Sequence, residues 1–221
     1  MKSTLIFKYI TIVIAIFVSV NASAAPKHAD TLGIIQAEQF TPPPNQFGQS
    51  GFIELSHQRQ EKNLCVPTSA SIVLQHFNRQ TTPRELKVLS RRQKYDPNRK
   101  FNDFTGTMFN DLIVGISTLG ISWKQVNWPN TKAGAKFGLA EIRKEIDKKN
   151  PVLIDTNLYG GIGHTFIVNG YDETNQLLII MDPAIPAPGI RVISYKNVEE
   201  IWNSRGVGYN GLAAIFTREE Q

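Results

Sequence analysis

The stretch Glu-Lys-Asn-Leu-Cys-Val-Pro-Thr-Ser-Ala-Ser-Ile-Val-Leu-Gln-His-Phe, residues 61 to 77, holds the only cysteine of a 221-residue chain. Cys65 stands two positions before Pro67, and Ala70, Ile72, Val73 and Phe77 follow at helical spacing. Proline is tolerated in a first helical turn, where its missing N–H would have had no intrahelical partner. The thiol is thereby expected at a helix N-terminus, where free backbone N–H groups and the macrodipole favour a thiolate. A thiolate is a nucleophile, and a nucleophile of this kind works with a base. Of the four histidines, His28 lies in a Pro/Gln-rich N-terminal stretch, His57 in a loop and His76 inside the first helix. His164 opens an apolar strand after Tyr159-Gly-Gly-Ile-Gly163, where glycines leave room for an imidazole and for a substrate backbone. His164 is the candidate general base.

A catalytic imidazole needs a partner that fixes its tautomer. Asp182 ends the strand that follows the one His164 begins. If the two pair through the turn at residues 172 to 175, the start of the first lies beside the end of the second, and the two side chains come within reach. Asn169 and Asp172 fall at the far end of that hairpin and are weaker candidates. Acyl transfer further needs a donor for the developing oxyanion, usually a backbone N–H with a side-chain amide. Gln60, five residues before Cys65, is the favoured amide, with Gln58 as the alternative.

Each of these residues also has an ordinary structural reading: a core cysteine, a strand-end histidine, an Asp-Pro turn, a loop glutamine. What separates them from that reading is their occurrence in the order and context thiol chemistry requires. Other chemistries are poorly served. Gly48-Gln-Ser-Gly51 and Gly115-Ile-Ser-Thr118 do not supply the G-x-S-x-G elbow of a serine hydrolase. The histidines and the cysteine lack metal-ligand spacing, and Gly-Gly-Ile-Gly-His precedes a strand rather than the helix a dinucleotide loop requires. No cofactor or metal is expected.

Four helices are predicted before Pro151: one following Cys65, one opened by the capping box Thr82-Pro-Arg-Glu85, one over residues 107–119 stopped by Gly120, and one over residues 139–149. After Pro151, short apolar runs at residues 152–156, 164–170, 177–182, 190–194 and 211–217 read as strands separated by turn signals. Helices first and antiparallel strands after them make an α+β domain. Trp123, Trp128, Trp202 and Tyr209 are expected to belong to its core rather than to a binding groove.

The N-terminus reads as an export leader. Lys2 and Lys8 precede an apolar run from Tyr9 to Val20, and Ala22-Ser-Ala24 offers a small-x-small cleavage site. The run is shorter than the roughly 20 residues of a membrane-spanning helix, so the organisation expected is a signal peptide over 1–24, a Pro/Gln-rich tether over 25–50 and one domain over 51–221. Periplasm or the medium is the expected location, with no membrane span after cleavage. The net charge of +5 falls to +3 once Lys2 and Lys8 leave with the leader, and the remaining charge is spread out. Nucleic-acid binding has no support in such a pattern.

Taken together, Gln-Glu-Lys-Asn-Leu-Cys-Val-Pro-Thr-Ser, then Gly-His-Thr-Phe-Ile-Val-Asn-Gly-Tyr-Asp, then Ile-Ile-Met-Asp-Pro-Ala resembles the papain-like cysteine peptidases related to the bacteriocin-processing, double-glycine-leader peptidases. The resemblance spans about residues 52 to 217. It implies a papain-like fold with Cys65 as nucleophile, His164 as base and acid, Asp182 as orienter, and Gln60 with the Cys65 N–H as the oxyanion hole. It also implies a peptide or protein substrate. Val66 stands where many relatives have glycine. The leader peptidases proper are usually joined to an exporting transporter, whereas this chain opens on an export signal. The expectation is an exported peptidase that cleaves a peptide or isopeptide bond. The alternatives are an acyltransferase of the transglutaminase type using the same site, and a peptide-binding module that has kept the fold without turnover.

Overall fold

The computed structural model describes residues 34–36, 40–92, 105–156, 163–202 and 211–218. Its spine is one antiparallel sheet. The strands are β1 (Ile34–Gln36), β2 (Ser50–Phe52), β3 (Lys124–Trp128), β4 (Val152–Thr156), β5 (His164–Asp172), β6 (Leu177–Met181), β7 (Ile190–Ser194) and β8 (Leu212–Phe216). They lie in the order β1-β7-β6-β5-β4-β8-β3, with β2 also paired to β5. The five strands read from the sequence are present almost as expected. Residues 34–36 correct the expected 25–50 tether in part, since they pair with β7 at the sheet edge. Phe40 packs on the core as well. The expected leader, residues 1–24, lies outside the described residues.

The helices are α1 (Cys65–His76), α2 (Pro83–Arg92), α3 (Phe109–Ser117), α4 (Lys132–Asp147) and α5 (Tyr195–Ile201). α2 carries the expected capping box: Thr82 Oγ1 accepts from Glu85 N–H at 3.2 Å, and Glu85 accepts from Thr82 N–H at 2.8 Å. α4 begins well before the expected residue 139, because Thr131 caps it by accepting from Gly134 N–H at 3.0 Å. Gly138 lets α4 approach Trp202 so closely that a Cβ there would sit 2.6 Å from the indole ring. The indole itself is fully buried, donates to the Ala213 carbonyl at 2.9 Å and meets Trp128 edge-on. Trp123 is buried too, and Trp128, partly buried, packs against the core, so the tryptophans belong to the core as expected; Tyr209 lies outside the described residues.

Two features of β5 decide what can be built at its start. Its ladder with β6 runs Ile167↔Met181 and Val168↔Ile180, then shifts by one residue so that Gly170 faces Ile179. The extra residue of this bulge is Asn169, held by the other side: its carbonyl accepts from Ile53 N–H at 2.7 Å, and its amide donates to the Ile53 carbonyl at 3.0 Å. A one-residue shift exchanges the two faces of a strand relative to its partner. The second feature is that the β6 ladder stops at Met181, which leaves the Thr165 main chain to other partners.

Candidate active site

α1 docks into the place that β6 leaves. The Ser69 hydroxyl donates to the Thr165 carbonyl at 3.4 Å, and the Thr165 N–H reaches the Cys65 sulfur, as does the N–H of Val66. Before the helix, Leu64 N–H bonds to the Glu61 carbonyl and Asn63 adopts φ +59°, a left-handed conformation asparagine tolerates better than most residues. Cys65 is the first residue of α1 and is half-buried.

Because of the bulge, Asp182 falls on the same face of the sheet as His164. Without it, the register beyond Gly170↔Ile179 would turn Asp182 to the opposite face. As built, His164 Nε2 donates to Asp182 Oδ1 at 2.7 Å, with the two residues 3% and 0% exposed. A carboxylate can only accept, so Nε2 carries the proton and Nδ1 is left for the Cys65 thiol, which is hydrogen-bonded to this imidazole. Thr156 ties the His164 carbonyl at 2.7 Å, and Phe166 stacks edge-on against the ring at 4.8 Å. The hairpin argument made from the sequence thus pairs the two residues that the structure brings together, through a bulge it did not contain.

Gln60 is drawn towards the same place by its backbone, its N–H bonding to the Pro183 carbonyl at 2.8 Å, one residue after Asp182. Its side-chain oxygen and that of Gln58 are buried without a hydrogen-bond partner. His57 lies against Gly189 and His76 bonds to the Lys149 carbonyl, so neither joins Cys65. Asn169 serves the bulge, and Asp172 accepts from Asn175 in the turn.

One residue of this cluster was missed. Arg191, the second residue of β7, is fully buried and donates through Nε to Asp182 Oδ2 at 2.7 Å. The available signal was a lone arginine inside the apolar run Ile190-Arg-Val-Ile, a position where a charge demands a partner. Asp155, on β4 opposite Thr165, is a second buried carboxyl near the imidazole.

The charges act together. Burial alone would raise the Cys65 thiol; the His164 hydrogen bond and charge, with the N–H groups of Thr165 and Val66, outweigh it and hold the thiol below its ordinary range. Burial likewise works against the imidazolium, but Asp182 and Cys65 raise His164 to about 9. Asp182 is held below the ordinary carboxylate range despite its burial by His164, the Arg191 charge and the Ala184 N–H. A thiolate facing an imidazolium is the protonation state in which sulfur attacks a carbonyl.

Residues 52–209 match the model of the peptidase C39-like family. The chain belongs to that family. It is accordingly a cysteine peptidase of papain-like fold. No curated protein matches it. Among solved structures, the peptidase domain of Streptococcus ComA, a bifunctional ABC transporter, is similar at 19% identity and a TM-score of 0.50, covering 73% of this chain and 95% of that one. A double-glycine-motif protease from an AMS/PCAT transporter, solved with its leader peptide, is 14% identical at a TM-score of 0.50, covering 76% and 95%. Xylellain, a cysteine protease from Xylella fastidiosa, is 11% identical at a TM-score of 0.50, covering 82% and 91%. These likenesses show the fold that the C39-like family here shares with wider papain-like peptidases.

Proposed function

We propose that this family member is an exported peptidase that hydrolyses a peptide or isopeptide bond through a Cys65 thioester. The observation that carries the mechanism is the continuous chain from the Cys65 thiol through the His164 imidazole to the Asp182 carboxylate, with Nε2 and Oδ1 at 2.7 Å. The thiolate adds to the carbonyl carbon and the carbonyl oxygen becomes an oxyanion. The Cys65 N–H and the Gln60 amide are the donors assigned to that oxyanion. As the C–N bond breaks, His164 gives its Nδ1 proton to the leaving amine. It then takes a proton from water, which attacks the thioester, releases the acid and returns Cys65 as a thiolate beside the imidazolium. Asp182 keeps the imidazole oriented throughout.

Export to the periplasm or the medium is supported by the basic head, the apolar run Tyr9–Val20 and the Ala-Ser-Ala site. No helix among the described residues is long and apolar enough to cross a membrane.

The test is the rate of Cys65 alkylation by iodoacetamide against pH, in the chain without its leader and in His164→Ala. The ion pair exists between the lowered pKa of the thiol and the His164 value of about 9. Labelling should therefore be fast and flat from mildly acid pH upwards, and in His164→Ala should rise only near the free-thiol value of about 8.5. A wild-type profile that itself rises only there makes Cys65 a structural thiol and removes the mechanism.

A further inference from the structure

Asp182 accepts hydrogen bonds at both oxygens, and only one of them faces the chemistry. Oδ1 takes the protons of His164 Nε2 and Ala184 N. Oδ2 takes the Nε–H of Arg191 at 2.7 Å. The ladders explain the geometry: β7 sets Arg191 opposite Ile180, two residues from Asp182, so Arg191 is its diagonal neighbour on the same face. Arg191 is fully buried and its two terminal nitrogens have no hydrogen-bond partner. A buried guanidinium is costly unless an opposite charge holds it, and this one is held through Nε alone. Orienting a histidine with a carboxylate does not itself call for an arginine.

The charge count does. In the reactive state Cys65 and Asp182 are both negative and His164 is positive, so these three alone would form a buried net anion. Asp155 on β4 adds a further negative charge when ionised, and His57, among the described residues, lies over Gly189, two residues before Arg191. Arginine is cationic at every relevant pH, and a positive group behind the carboxylate offsets the second negative charge. We propose that Arg191 is a positioning residue of the active site, clamping the Asp182 carboxylate towards His164 and supplying the cation that balances the thiolate.

This inference rests on the thiolate mechanism proposed above, and one experiment separates the two. Alkylation of Cys65 by iodoacetamide is measured from pH 4 to 9 in wild type, Arg191→Gln and Arg191→Lys, each checked for native circular dichroism. Glutamine can still donate to Oδ2 but carries no charge, so the acid limb should move up by about one pH unit, making labelling roughly tenfold slower at pH values below both midpoints. Lysine keeps the cation without the planar fork, so its acid limb should stay within about 0.3 unit of wild type while the plateau rate falls several-fold. An unmoved limb in folded Arg191→Gln, with an acid-shifted wild type, overturns the inference and leaves the mechanism standing. A wild type without an acid-shifted limb overturns both. If Arg191→Gln does not fold, Arg191→Lys decides: the slower plateau supports the clamp, and a plateau equal to wild type overturns it.

Discussion

The proposed nucleophile and the proposed base of this site are held by opposite means. Cys65 is half-buried at the start of a helix whose preceding residue, Leu64, makes no side-chain capping bond. Backbone N–H groups and the imidazole steady it. His164, Asp182 and Arg191 lie on or at the end of three adjacent strands, are no more than 3% exposed, and bond to one another in sequence. In the proposed mechanism the difference separates two tasks: the thiol meets an incoming chain, whereas the base keeps one orientation and one charge state.

The sharpest way to break that contrast is to remove one residue from each side. Cys65→Ala should abolish turnover, a loss of roughly 10⁴-fold or more, while urea unfolding shifts by no more than about 1 kcal/mol. Asp182→Ala should lower turnover strongly and also destabilise the chain by about 3–5 kcal/mol, because it leaves the Arg191 guanidinium buried and unpaired. Equal stability losses from both would erase the distinction.

A finer test lies on the thiol side. Gln60→Ala should reduce kcat by about 10²-fold through loss of the proposed oxyanion donor, with KM little changed. Gln58→Ala should keep kcat within about threefold, because Gln60 is the one whose backbone is tied beside Asp182. Reversal of the two would assign the oxyanion amide to Gln58.

The smallest effect concerns stability on the sheet side. Burial pushes the Asp155 carboxyl up to about 7 against the help of the Thr156 N–H and the His164 charge. Between the ordinary carboxylate range and pH 7 the folded chain therefore holds a proton that the unfolded chain has released. Stability falls as pH rises through that window and levels off above it. Asp155→Asn should remove the slope, raising stability at pH 8 by roughly 1–3 kcal/mol and leaving values at pH 3.5 close together. Parallel curves for the two proteins would mean that Asp155 ionises no differently in the folded chain.

How much of this was legible depended on whether the signal was local. The helix start at Cys65, the capping box at Thr82 and the five late strands are short-range patterns and read correctly. α4 was placed too late because Ala133, Gly134, Ala135 and Gly138 interrupt the apolar period; the last of these answers to Trp202, a residue remote in sequence. β3 was not foreseen, since Lys-Gln-Val-Asn-Trp is polar at the edge of the sheet, and α5 is a short helix with a weak pattern. His164 and Asp182 could be paired from the hairpin alone, yet the face Asp182 takes depends on a bulge fixed by Ile53, more than a hundred residues away. Arg191 escaped because its meaning is set by the neighbouring strand.

Pro183 gives the stop at Met181 a further meaning. Continued by two residues, the register of β5 and β6 would bring Pro183 opposite Thr165. Proline has no N–H to offer, so that rung cannot form in full. The Thr165 carbonyl and N–H stay available to Ser69 and Cys65, while the Pro183 carbonyl is taken by Gln60. A residue that refuses one bond thereby keeps a socket open in the sheet, and the helix bearing the thiol is the plug that fits it.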